Sequence, residues 1–207
     1  PGDFSDGTIT INSVTVTGKT GFVSKWYDQS GNSFDLVQGT TNAQPKIVSS
    51  GTFNNKLIFD GTNDFMEFHS SGSIANLAYH TGVMLIERTQ DAVEPVLGHS
   101  TSGDFPLFQN GSDLQSIGGS FGKIGIDGGT LGSGSVSGFT SGEHIIFLTT
   151  ANTGNSPTNV NLFAKIVNSG TDFFGGVNAR ELVVYSTNKL DDRSALETNL
   201  NNHYSIF

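Results

Sequence analysis

Between Phe22 and Gln38 two apolar runs are separated by one polar corner, and this pattern restricts the fold more than any other stretch. Phe22 to Tyr27 is aromatic and β-branched, as expected of a strand. Asp28, Ser30, Gly31 and Asn32 then crowd together as turn formers, and Gly31 and Asn32 are residue types that tolerate positive φ. Phe34-Asp35-Leu36-Val37-Gln38 follows at once. The segment reads as strand, tight corner, strand, with Trp26, the only tryptophan, at its entrance. Side chains alternate along a strand, so Trp26 is expected to face a core and Tyr27 to face outward.

The same grammar continues along the chain. Thr8 to Thr17 alternates with a phase slip at Asn12-Ser13, the mark of a bulge or turn. Pro45 to Val48, Lys56 to Phe59 and Asp64 to Phe68 read as strands, the last two flanking the polar corner Asp60-Gly61-Thr62-Asn63. Val83 to Glu87 is a nearly continuous apolar run, as expected of a buried sandwich strand, and His144 to Thr149 reads as another core strand. Asn159 to Val167 alternates and Arg180 to Tyr185 is the last strand. Gly128 to Gly142, rich in Gly and Ser, reads as a long surface loop. From Asp191 to Tyr204 the period changes. Leu196, Leu200 and Tyr204 fall on one helical stripe behind an Asp cap. The expected core contains Trp26, Phe59, Phe65, Leu85, Phe147, Leu162, Val183 and Leu200.

Composition agrees with many short strands. The 27 glycines among 207 residues are about twice the usual ~7%. The formal net charge of −9 leaves no basic stripe for nucleic acid and disfavours an anionic membrane surface. Cysteine is absent, which excludes disulfides and thiolate metal sites. No apolar run approaches the ~18–20 residues of a membrane-spanning helix. The chain is expected to be a single domain over residues 1–207, excised from a longer protein.

Three motif matches fail on context. Gly18-Lys19-Thr20 lacks the upstream glycine of a phosphate loop, since Ser13 stands there. Gly118-Gly119-Ser120-Phe121-Gly122 has the letters of a nucleophile elbow, but a strand rather than a helix follows it. The five histidines show no metal-ligand spacing. Asn110-Gly111-Ser112 is a formal glycosylation acceptor.

Trp26 to Asn32, then Gln44 to Val48, then Phe59 to Asp64, with Glu181 to Tyr185 and the closing helix, resembles a laminin-G-like, concanavalin A-like jelly roll. The likeness runs over nearly the whole chain. It implies an all-β jelly-roll β-sandwich of two antiparallel sheets with a short C-terminal helix. Similar domains occur in bacterial surface proteins, in phage and virus structural proteins, and as the catalytic domain of α-L-arabinofuranosidases. The last place a nucleophile in a Gly-Asn-Ala-Glu stretch. Its counterpart here, Gly98-His99-Ser100-Thr101, has no carboxylate, which argues against a retained glycosidase.

The resemblance also implies a rim calcium site, for which Asp28 and Asn32 in one corner and Asp60, Asn63 and Asp64 in the other supply oxygens. The plainer alternative is that these acids cap turns through Asx hydrogen bonds. For sugar recognition Tyr27 is the stacking candidate, with His99, Asp104, Asn110 and Asp113 on loops that could join it. The leading expectation is thus a non-catalytic glycan-binding module of an extracellular, cell-surface or virion-surface protein that needs no cofactor other than possible calcium. The alternatives are a tail, fibre or capsid assembly domain with a protein partner, and a glycoside hydrolase.

Overall fold

Polar turns every few residues break the chain into short strands, and these pair into antiparallel sheets. The structure is a computed structural model describing residues 18–31, 35–68, 81–91, 93–99, 107–115, 121–150, 160–162, 164–165, 173–185 and 187–207. In chain order the strands are β1 (Gly21–Phe22), β2 (Lys25–Trp26), β3 (Leu36–Val37), β4 (Lys46–Ser49), β5 (Thr52–Ile58), β6 (Met66–Phe68), β7 (Thr81–Arg88) and β8 (Val93–His99). They continue with β9 (Leu107–Asn110), β10 (Asp113–Gln115), β11 (Phe121–Ile126), β12 (Ser135–Ser137), β13 (Gly142–Thr150), β14 (Val160–Leu162), β15 (Ala164–Lys165), β16 (Phe173–Phe174) and β17 (Val177–Tyr185). One helix, α1 (Arg193–Tyr204), closes the chain. The fold is all-β with a short C-terminal helix.

A seven-stranded sheet runs β1-β4-β5-β17-β7-β13-β11, an eight-stranded sheet runs β12-β10-β9-β8-β14-β6-β3-β2, and β15-β16 form a small pair. The two large sheets share one core. The first contributes Leu57, Met84, Ile86, Ile124 and Ile146, and the second Leu36, Met66, Val96, Leu107 and Leu114. Strands β7 and β13 are apolar on both faces because α1 covers their outer side. There Val83, Leu85, Ile145 and Phe147 pack with Leu200, and Leu196 and Tyr204 lie against them. The helical stripe and the continuous apolar runs are thus two sides of one interface.

Of the expected core, Phe59, Leu85, Phe147 and Leu200 are buried. Trp26 and Val183 are half-buried against it. The Leu162 side chain and the segment Thr8 to Thr17 lie outside the described residues. Phe65 is a correction. It is half-buried and packs on Phe174 at 6.1 Å, while Met66 is fully buried. The pairing of Met66 with Leu162 and Glu67 with Asn161 sets the phase of β6, and a one-residue slip exchanges the two faces.

Two further readings change. Phe22 to Tyr27 is not one strand. Gly21–Phe22 pairs with β4 in the first sheet, and Lys25–Trp26 pairs with β3 in the second, so the chain crosses between sheets at Val23-Ser24. Nor is Gly128 to Gly142 merely a surface loop. Within it β12 joins the edge of the second sheet, Ile124 and Gly132 exchange backbone hydrogen bonds, and Phe139 is fully buried. His144 anchors this excursion. One ring nitrogen meets Asp127 Oδ2 at 2.6 Å and the other the Thr140 carbonyl at 2.9 Å. Both partners offer acceptor oxygens, an arrangement that favours the doubly protonated ring. Burial works against that charge, but the two bonds prevail and the His144 pKa is raised.

Candidate functional site

The corner after β2 is held by a chain of short polar contacts. Asp28 accepts from the Ser30 N–H on one oxygen and from the Ser30 hydroxyl on the other, both at 2.8 Å. The Asp28 N–H donates to Asp35 Oδ1 at 2.9 Å, and Lys25 donates to Asp35 Oδ2 at 2.9 Å. The Lys25 bond and then the Asp28 N–H hold the Asp35 carboxyl below its usual range. Tyr27 stands on this braced corner with 64% of its surface exposed, and the Lys25 ammonium lies 5.1 Å from its ring centroid.

Beside Tyr27 a cleft of about 450 Å³ opens, a volume within the ~300–1,000 Å³ of small-molecule sites. Its cause is a departure from regular pairing. Strand β5 meets β17 only at Leu57 and Ile58, so the two diverge beyond Ala179. On its other side β5 bulges. Lys46 pairs with Ile58 and Val48 with Phe53, leaving Asn54 to Leu57 opposite Ile47 alone. Asn54 offsets part of the lost ladder by donating to the Ile47 carbonyl and Ser49 Oγ, each at 3.1 Å, and Asn55 sits at φ 55°. The floor is apolar, made by Val23, Trp26, Ile47, Phe53 and Leu57, and the rim is polar, with Lys25, Gln29, Asn55, Lys56 and Arg180 around Tyr27.

Behind Lys56 and Arg180 two carboxylates face each other across neighbouring strands, Glu87 on β7 and Glu143 on β13. Lys56 bridges them, at 2.8 Å from Glu87 and 3.6 Å from Glu143, and Arg180 holds Glu143 at 2.8 Å. Asn178 donates to Glu87 at 2.6 Å. Burial alone would raise the Glu87 pKa, but the bonds from Lys56 and Asn178 prevail and hold it below the usual range. A glycosidase acid needs the opposite shift.

The second corner uses its acids differently. Asp60 Oδ1 accepts from the N–H groups of Thr62, Asn63 and Asp64 at 2.8, 3.1 and 3.3 Å. Asp64 Oδ2 accepts in return from the Asp60 N–H at 3.1 Å. Partial burial favours a raised Asp60 pKa, yet these three bonds and Lys46 lower it. Asp64 is only 3% exposed, and burial first, then the Asp60 charge, push its pKa to about 6. Among the described residues no three His, Asp or Glu side chains converge where they could hold a metal ion. Asn32 lies outside the described residues, so what the two corners display is Asx capping.

Of the residues expected around Tyr27, Asn110 and Asp113 lie elsewhere in the second sheet. Asn110, exposed, pairs with Asp113 across a two-residue turn between β9 and β10. Strand β9 lies five places from β2 in the eight-stranded sheet, roughly 24 Å at ~4.8 Å per strand. The backbone of His99 ends β8, while its side chain and all of Asp104 fall outside the described residues. Instead Tyr27 is joined by Gln29, Asn55, Lys56 and Arg180, which the sequence did not single out. Consecutive asparagines within an otherwise strand-like run, Asn54-Asn55, are the one signal that could have located the bulge. Comparison with known protein families, curated proteins and solved structures finds no match for this chain. Among the described residues no helix is long and apolar enough to cross a membrane.

Proposed function

We propose that this chain is a non-catalytic glycan-recognition module on a concanavalin- or laminin-G-like jelly roll, carried by an extracellular or virion-surface protein, and that the cleft beside Tyr27 is its binding site. The observation that carries this reading is the largely exposed Tyr27 ring on a braced corner at the mouth of a 450 Å³ cleft. An aromatic face stacks on the apolar face of a sugar, while amides and charged groups bond its hydroxyls. Tyr27 supplies the first, Gln29 and Asn55 the second. Asp28 and Asp35 hold the corner and Asn54 holds the bulge opposite through the chain's own hydrogen bonds. Preorganisation of this kind lowers the entropic cost of binding. Two observations support the jelly roll: two antiparallel sheets share one core, and the N-terminal and C-terminal strands interleave in the first of them. Binding is favoured over hydrolysis because Glu87 and Glu143 are both tied to cations.

The test is a glycan array probed with the purified chain and with Tyr27→Ala, in calcium and again in chelator. Specific binding that free sugar competes away and that Tyr27→Ala abolishes is the expected result. Among the described residues no Asp or Glu lines the cleft, so binding is expected to survive chelation. Loss in chelator would move recognition to the Asp28 or Asp60 corner and bring calcium into it. A blank array in both conditions would favour an assembly role with a protein partner.

A further inference from the structure

We infer that the cleft selects an acidic saccharide, one whose ring bears a carboxylate, as uronates and sialates do. This rests on the cleft being a sugar site. The charge of its wall is the first observation. The chain carries 19 Asp and Glu against 10 Lys and Arg, yet among the described residues the cleft is lined by Lys25, Lys56 and Arg180 and by no acid.

The second observation is how these cations are held. Their carboxylate partners, Asp35, Glu87 and Glu143, lie outside the lining. The side chains of Lys25, Lys56 and Arg180 nevertheless keep 40%, 21% and 21% of their surface accessible. The acids therefore position the cations and leave part of each open to an incoming anion.

The third is the position of Lys25 relative to the stacking ring. With its ammonium over the Tyr27 ring, 5.1 Å from the centroid, Lys25 stands beside any sugar packed against that ring. A neutral sugar would offer only hydroxyls to the parts of these cations that their carboxylate partners leave open. A carboxylate offers charge-assisted bonds instead.

The experiment is a panel of uronate-bearing and sialate-bearing oligosaccharides, each printed beside its methyl ester, probed at low ionic strength and again in high salt. Wild type and the Lys25→Gln and Tyr27→Ala variants are compared, with thermal unfolding to verify that each folds. The expected result is retention of at least one carboxylated glycan, binding of its ester about tenfold weaker, and a gap that narrows in Lys25→Gln and in high salt. The uronate and sialate arms report which acid is preferred. Esters held as tightly as acids would overturn the charge selectivity while leaving the cleft a sugar site. Binding to neither half, by protein that folds, would overturn both readings.

Discussion

The two acidic corners are built from the same residue types and have opposite fates. At Asp28 the carboxylate caps a turn in solvent, and the space around Gly31, at φ 83°, is open to 4 Å. At Asp60 the corner is pressed against the protein. A Cβ on Gly61, at φ 69°, would meet Gln90 Nε2 at 2.8 Å and the Gly176 nitrogen at 3.2 Å. Gln90 is itself committed, since its amide donates to the buried Glu94, which also accepts from the Gly176 N–H at 2.9 Å. One corner is a platform that displays Tyr27, and the other is a seal at the edge of the core. Local sequence specifies a turn in both cases. Whether the turn is free to carry function depends on what packs behind it.

The largest test of this contrast is the glycine pair. Gly61→Ala is expected to destabilise by about 3 kcal/mol, combining left-handed strain with a clash against Gln90 and Gly176. Gly31→Ala should cost about 1 kcal/mol, the strain alone. Equal losses in denaturant unfolding would erase the distinction between seal and platform.

Next comes Asp64. Its folded pKa of about 6 lies above the ordinary aspartate value of 3.8, so the folded state holds the extra proton between those values. The stability this group contributes is therefore full below about pH 4 and is lost as pH rises through about 6. Asp64→Asn should remove that loss, gaining about 1–2 kcal/mol at pH 7 and little near pH 4. A variant less stable than wild type at pH 7 would mean that the Asp64 charge supports the corner rather than straining it.

The smallest effect separates the two capping acids. Asp60→Ala frees three N–H groups and is expected to cost about 1 kcal/mol, against about 0.5 kcal/mol for Asp28→Ala. Removing the Asp60 charge should also bring the Asp64 titration, followed by NMR, back toward the ordinary carboxylate range. An Asp64 titration unmoved by Asp60→Ala would assign its shift to burial alone.

Much of the fold was legible because its signals are local. Alternation, turn residues and the i, i+4 stripe of Leu196, Leu200 and Tyr204 act over a few residues, and they led to an all-β chain with a terminal helix. The outward Tyr27 followed from alternation in the same way. Phase was lost where the partner strand sets it, as at Phe65 and Met66. Burial of Phe139 was hidden because its glycine- and serine-rich surroundings look the same whether the segment hangs in solvent or folds back as β12.

By itself, then, the sequence determined most of the local elements, the turns at the two acidic corners and the outward aromatic, because each depends on backbone sterics and neighbouring side chains. Only the tertiary structure decided which elements meet. Crossing of the chain between sheets at Val23-Ser24 brings Tyr27 to the split between β5 and β17, while the strand order sends Asn110 and Asp113 toward the opposite edge of the second sheet. The physical reason is that a cleft is made where pairing stops. Pairing stops at the bulge between β4 and β5 and where the short β5–β17 ladder ends, and β5 and β17 lie more than a hundred residues apart in the chain, a distance no local pattern spans.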